Sequence, residues 1–256
     1  MDGFDHIVKE PLLASHCISE LSHCSNRALF PIIGYTECPP SGSPFTDMHA
    51  TLDLFDDRRE LESISLIDAD LKFMRSFFEK SQADHYFKLL LEETPWRQDS
   101  IKVWGKTHLQ PRLTAWYGDP DTSYSYSGIQ LESLAWTATL QAIKTAVEEV
   151  VGSRFNSVLI NLYRDQQDSV GWHSDDEPEL GHNPVIGSVS LGETRTFKLK
   201  HKTNKHEKQL AVDLTHGSLL VMAGPTQKRW HHAIDKERMP KQPRINLTFR
   251  SIQKEV

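Results

Sequence analysis

Val170-Gly171-Trp172-His173-Ser174-Asp175-Asp176-Glu177 decides how the rest of this chain is read. His173 and Asp175 are two positions apart, so on extended backbone their side chains point to the same side. An imidazole and a carboxylate on one face are two of the three groups of a 2-His-1-carboxylate site, the arrangement of non-haem Fe(II) oxygenases. Further on, Trp230-His231-His232 offers the third group. His231 and His232 are equivalent candidates at this level. Neighbouring strand residues face opposite sides, so only one of them can be the ligand.

Working outward, Arg244-Ile245-Asn246-Leu247-Thr248-Phe249-Arg250 alternates polar and apolar residues. On a strand this puts Arg244, Asn246, Thr248 and Arg250 on one face and Ile245, Leu247 and Phe249 on the other. Asn161 and Tyr163, in Leu159-Ile160-Asn161-Leu162-Tyr163, are also two apart and share a face.

The order His-x-Asp, a distal histidine, then Arg-x-Asn-x-Thr-x-Arg resembles the AlkB family of Fe(II)/2-oxoglutarate dioxygenases. The terminal motif is the most specific part of the resemblance. It implies a double-stranded β-helix (jelly-roll) core. His173, Asp175 and a distal histidine would hold Fe(II) and leave positions for 2-oxoglutarate and O₂. The family pattern favours His232, twelve residues before Arg244. Guanidinium matches carboxylate geometry with two parallel hydrogen bonds. The resemblance accordingly implies that Arg244 binds the distal carboxylate of 2-oxoglutarate and that Arg250 lies at its other end, near the iron. Asn161 and Tyr163 would hydrogen-bond the same molecule, with Asn246 and Thr248 beside it.

The family's reaction is oxidative demethylation. An N-methyl group is hydroxylated, and the product collapses to formaldehyde and the repaired base. A base inside a duplex must be flipped out and held by stacking to react. By resemblance, Tyr126 sandwiches it against His173 and Tyr124 hydrogen-bonds nearby. Asp176 and Glu177 follow Asp175, and a carboxylate there would favour a cationic lesion such as N1-methyladenine or N3-methylcytosine. Val103-Trp104-Gly105-Lys106 resembles the hydrophobic finger of the double-strand-acting vertebrate AlkB homologue 2, with tryptophan as the aromatic, and Pro111-Arg112 matches the same group. Thr114-Ala115-Trp116-Tyr117-Gly118, Asn161-Leu162-Tyr163-Arg164 and Trp172-His173-Ser174-Asp175-Asp176-Glu177-Pro178 read closer to homologue 3, which prefers single strands. Strand preference stays open between the two. The expected partner is methylated DNA, with RNA second, and the expected state is a monomer. An RNA-directed demethylase is the runner-up. A lesion-binding protein without turnover is opposed by the complete ligand set. A His₂Asp zinc hydrolase would leave Arg244 and Arg250 unexplained.

Composition sets the outer bounds. The 256 residues, 38% hydrophobic and 25% charged, suit a soluble globular protein. No apolar run is long enough to cross a bilayer, and Met1-Asp2-Gly3-Phe4-Asp5-His6 lacks the pattern of a signal peptide. An intracellular protein is expected, nuclear or cytoplasmic, with no membrane partner. Cys17, Cys24 and Cys38 are odd in number, which opposes a closed disulfide framework. A net charge of −6 opposes indiscriminate nucleic-acid binding. Acidic residues crowd residues 53–70, however, while Lys198, Lys200, Lys202, Lys205 and Lys208 crowd a segment beside the motifs, where a locally positive field is expected.

Along the chain, residues 1–60 show no sustained period and carry Pro39-Pro40-Ser41-Gly42-Ser43-Pro44, the composition of a mostly disordered leader. Residues 61–256 form the expected catalytic domain. Leu71, Met74, Phe77 and Phe78, extended by Tyr86 and Leu89 to Leu91, predict a helix that Pro95 stops. A second helix is predicted from about residue 133 to Val151, with Leu134, Leu140, Ile143, Val147 and Val150 inward and Gly152 as its cap. Short strands follow at Ser157–Tyr163, Val185–Leu191, Thr196–Lys200, Leu210–Leu214, Ser218–Met222 and Arg244–Ile252. The fold class is therefore α+β, a jelly roll with two helices packed on one side.

Overall fold

The structure is a computed structural model that describes residues 60–103, 106–120, 123–126 and 129–253. The leader lies outside the described residues, apart from its last position. In chain order the strands are β1 (Glu62–Ile64), β2 (Asp70–Met74), β3 (Ser100–Val103), β4 (Lys106–Leu109), β5 (Leu113–Gly118), β6 (Ser123–Tyr126), β7 (Ile129–Glu132) and β8 (Ser157–Tyr163). They continue with β9 (Val170–His173), β10 (Ile186–Gly192), β11 (Arg195–His201), β12 (Leu210–Leu214), β13 (Ser218–Ala223), β14 (Trp230–Ile234) and β15 (Arg244–Arg250). The helices are α1 (Lys80–Glu93), α2 (Ala138–Val151) and the single turn α3 (Thr226–Arg229).

Seven strands form one sheet in the order β1-β2-β13-β10-β15-β8-β5, and four form a second in the order β12-β11-β14-β9. The strand pairs of both sheets are antiparallel. A cavity between them is lined from both sides, which is the jelly roll expected from the sequence. β3 with β4 and β6 with β7 form separate hairpins.

The alternation in β15 orders the layers. Ile245, Leu247 and Phe249 are fully buried in a core shared with Ala83 and Leu90 of α1 and with Leu140, Ile143 and Val147 of α2. Both helices thus cover the same face of the larger sheet. α2 comes close enough to β10 that a Cβ at Gly187 would lie 2.8 Å from Val147 Cγ1. Glycine there lets helix and sheet meet. α2 starts where Thr137 accepts the Leu140 N–H at 3.2 Å. It stops at Gly152, whose φ of 71° puts it in the left-handed conformation of a helix cap.

Three expectations need correction. Asp70–Met74 is a strand, not the start of a helix. Leu71 and Met74 lie three apart, so on a strand they face opposite sides, and each enters a different core. Because this sheet is buried on both faces, the strand imitates helical spacing. The second helix begins at Ala138 rather than near 133, because Leu134 pairs with Tyr117 in a bridge. Leu134 and Val150, both expected inward, are 39% exposed.

Glu148 fastens the end of α2 to the segment that leads into β8. Its buried carboxylate accepts the Phe155 N–H at 2.7 Å and Arg154 Nη1 at 2.7 Å. Burial opposes its ionisation, yet these donors hold its pKa below the usual value. Glu148→Gln keeps the shape but weakens charge-assisted bonds, so it should lose about 1–2 kcal/mol of stability at pH 7. A lowered folded-state pKa stabilises above the unfolded value, about 4.3 for Glu. That advantage is lost as pH falls through the folded value. Urea unfolding of both proteins from pH 7 downward should show the gap constant at neutral pH and closing below about pH 4.

Candidate active site

His173 ends β9, Asp175 follows it, and His232 lies on β14 directly across from His173. One ligand atom from each falls within 4.8 Å of the other two. The pairing of β9 with β14 shifts register between His232 and Ile234, a bulge beside the site. Alternation along β14 separates the two candidate histidines. His232 is buried and lines the cavity. His231 sits opposite Lys200 on the other face of the sheet, where burial and then Lys202 and Lys200 push its pKa down.

The state of each ligand follows from its contacts. His173 Nδ1 lies 2.8 Å from the Gly171 carbonyl, so it carries the proton and leaves the Nε2 lone pair facing the cavity. His232 Nε2 is 3.1 Å from His173 Nε2, and the Phe197 ring stacks on His232 at 5.1 Å. Burial pushes His173 down, and burial together with the neighbouring His173 pushes His232 down to about 3. Both imidazoles are therefore neutral. Asp175 is 2% exposed. Burial would push its carboxyl up, but the Arg250 guanidinium beside it holds it well below the usual carboxylate range. Its Oδ2 accepts from Arg250 Nη2 at 2.9 Å, while its Oδ1 is buried with no hydrogen-bond partner. Two neutral imidazoles and an ionised carboxylate with an orphaned oxygen fit a divalent metal in the facial arrangement.

Arg244 closes the other end of the cavity and is 1% exposed. Its Nη2 donates to Ser190 Oγ at 2.9 Å, its carbon lies 5.1 Å from the Tyr163 ring centre, and Nε and Nη1 are buried with no acceptor. Burial pushes its pKa down to about 10. A buried guanidinium with an open edge calls for an oxyanion. Asn246 and Thr248 line the cavity between Arg244 and Arg250 and are held in a chain, Thr248 Oγ1 to Asn246 Oδ1 at 3.1 Å and Asn246 Nδ2 to Ser188 Oγ at 2.8 Å. Asn161 faces the same space, where its Oδ1 accepts from Arg112 Nε at 2.8 Å.

The chain matches the model of the 2OG-Fe(II) oxygenase superfamily over residues 70–250, a span that holds all of these residues. It belongs to that superfamily, among the AlkB homologues. The human alpha-ketoglutarate-dependent dioxygenase alkB homolog 3 is 43% identical over 184 residues, covering 69% of this chain and 64% of that protein. The human DNA oxidative demethylase ALKBH2 is 40% identical over 184 residues, covering 68% of this chain and 70% of that protein. The chain thus spans less than two thirds of the length of the alkB homolog 3 relatives it matches. The solved structure of OsALKBH1 shares the fold, with a TM-score of 0.51 at 19% identity over 71% of this chain and 97% of its own. Members of this superfamily use Fe(II), 2-oxoglutarate and O₂, and the three cavity ligands of the AlkB chain described here suit the metal.

The remaining expected residues are placed less closely. Arg112 lies inside the cavity rather than on the surface, and its Nη1 also meets the Ser169 carbonyl at 3.3 Å. Asp176 is exposed and pairs with Lys202 at 2.8 Å, and Glu177 is half-buried at the start of the 3₁₀ turn Pro178–Leu180. Val103, Tyr124 and Tyr126 are described only as backbone of β3 and β6, and Trp104 and Gly105 lie outside the described residues. In the lysine cluster, Lys198 pairs with Asp235 at 2.8 Å and Lys200 lies 4.2 Å from the Trp172 ring centre. The pairing of Lys198 and Lys202 reduces the positive field expected there. Ser188 and Phe197 of the cavity wall, and Ser190, which accepts from Arg244, gave no motif signal. The two serines could have been found, since Ser188-Val189-Ser190 alternates opposite Thr248 and Asn246.

A metal that binds only the folded state raises its stability, by about 2.7 kcal/mol at a hundredfold excess over its dissociation constant. Mn(II) should therefore raise the melting temperature of the wild type and of His231→Ala, but not of His173→Ala, Asp175→Ala or His232→Ala. Asp175→Ala should also melt lower without metal, because it breaks the buried ion pair with Arg250, a loss of about 3–5 kcal/mol. A shift retained in His232→Ala and lost in His231→Ala would reverse the assignment.

Proposed function

We propose that this chain is an Fe(II)/2-oxoglutarate-dependent dioxygenase that demethylates N1-methyladenine and N3-methylcytosine in DNA, with RNA as a second substrate. The observation that carries the reading is a single cavity with His173, Asp175 and His232 at one end and the open edge of buried Arg244 at the other. A dicarboxylate co-substrate spans such a pair of sites. The names of the relatives, one a dioxygenase and one a DNA oxidative demethylase, support the substrate class.

Each residue has a defined task in this reading. When bound, the metal with 2-oxoglutarate and O₂ supplies the oxidising equivalent for hydroxylating the N-methyl carbon. Asp175 would offer Oδ1 to the metal, while Arg250 holds Oδ2 and keeps the carboxylate ionised. His173 and His232 stay neutral, so their lone pairs are available. Arg244 forks onto the distal carboxylate, and Asn161 and Tyr163 border the same molecule. Leu159, Phe197, Leu214 and Ile234 line the cavity and exclude water. The flipped base is held between Tyr126 and His173, with Tyr124 and Glu177 nearby, and the domain works in the nucleus.

Formaldehyde release from methylated oligonucleotides, with and without 2-oxoglutarate, tests the activity. Arg244→Lys keeps the charge and loses the fork, so the KM for 2-oxoglutarate should rise at least tenfold, the loss of about 1.4 kcal/mol of binding. An unchanged KM would remove Arg244 from the co-substrate site.

Trp104 separates duplex from single-strand action. It stands in the sequence Val103-Trp104-Gly105-Lys106. Acting as a wedge in the gap left by a flipped base, it serves only duplex substrates. Trp104→Ala should lower demethylation of double strands, leave single-strand rates high, and leave the melting temperature near that of the wild type. Equal loss on both substrates with a lower melting temperature would mark Trp104 as a core residue.

A further inference from the structure

The single turn α3 stands between β13 and β14 and touches the metal loop through one side chain. Gln227 is 1% exposed, although it is a long polar residue. Its Oε1 accepts the backbone N–H of Asp175 at 2.9 Å, a bond buried at both ends and spanning 52 residues. Its Nε2 lies 3.4 Å from the Met222 sulfur, which fixes which end of the amide faces Asp175. The neighbouring Thr226 anchors the same turn elsewhere. Its Oγ1 accepts the Asp70 N–H at 2.9 Å and donates to the Ala223 carbonyl at 2.6 Å. α3 is therefore tied to β2 by Thr226 and to the metal loop by Gln227, and five residues after Gln227 comes His232.

Asp175 lies two residues beyond the end of β9, so the sheet ladder does not hold its backbone. Arg250 holds one carboxylate oxygen, but a single bond at Oδ2 leaves the side chain free to swing about that contact. Fixing the amide of the same residue removes that freedom. We infer that Gln227 is a positioning residue of the metal centre: by accepting the Asp175 N–H it fixes where Oδ1 is presented relative to His173 and His232. The turn that sets the start of β14, and so of His232, then also sets the carboxylate. This rests on the reading of His173, Asp175 and His232 as metal ligands.

The test compares metal affinity with fold stability in the full chain. Gln227→Leu keeps the bulk and removes the acceptor, whereas Thr226→Val removes the tie to β2 and leaves Gln227 in place. Mn(II) dissociation constants are measured by electron paramagnetic resonance, with melting temperatures of the metal-free proteins and amide exchange at Asp175. Outer partners of metal ligands typically change affinity by about 10–100-fold, so Gln227→Leu should weaken Mn(II) binding at least tenfold and speed exchange at the Asp175 amide. Thr226→Val, even if it melts as low, should bind Mn(II) within about threefold of wild type, which is close to 0.6 kcal/mol. Wild-type affinity in Gln227→Leu overturns the inference, as does a loss in both variants that tracks their melting temperatures. If the wild type itself binds no Mn(II) and His232→Ala makes no difference, the ligand assignment fails, and the inference with it.

Discussion

The buried pair of Asp175 and Arg250 is the contact on which the site depends. It joins two segments 75 residues apart in sequence, the loop after β9 and the end of β15. Neither charge could stay buried alone, since an unpaired ion in a protein interior is costly and neutralises instead. Together they keep one oxygen of Asp175 satisfied and ionised and leave the other with no hydrogen-bond partner. An interior pair optimised for stability alone would satisfy both oxygens. The orphaned Oδ1 is the mark of a ligand, and the energy it forgoes in the metal-free protein returns when a cation binds.

A second constraint is geometric. β15 is buried along its whole length, so both of its faces do separate jobs. Ile245, Leu247 and Phe249 hold the helices against the sheet, and the intervening residues build the cavity wall. A slip of one residue in register would put guanidiniums into the apolar core and phenylalanine into the cavity. Pairing on both sides, with β10 and β8, fixes that register. The co-substrate site is therefore specified by the same contacts that specify the fold.

This double use explains what could be read from the sequence. The strict polar-apolar alternation of residues 244–250 has one physical solution, and the observed strand matches it. His-x-Asp was legible because two residues on extended backbone share a face. The choice between His231 and His232 needed the family pattern, since alternation says only that they differ. Asp70–Met74 was misread because a strand buried on both faces has no period of its own to show. Gln227 was invisible for another reason. Its partner is a backbone N–H 52 residues away, and no side-chain pattern encodes such a bond. The ion pair of Asp176 with Lys202 was likewise unreadable, as it depends on how a loop and the end of β11 meet.

The charge of the cavity opposes that of the chain. The protein carries a formal −6, yet the cavity is lined by Arg112, Arg244 and Arg250 against the single carboxylate of Asp175. Nearby Arg195 is balanced by Glu237 at 2.8 Å. Arg244 keeps two buried nitrogens without an acceptor, and in a low-dielectric interior the gain from an anion placed against them is large. The two substrates of the proposed reaction differ in this respect. A dicarboxylate lowers the energy of the cavity and should enter first, and the charge it brings makes the later approach of a positively charged methylated base less unfavourable. Binding order then follows from the placement of Arg244, with no moving part required.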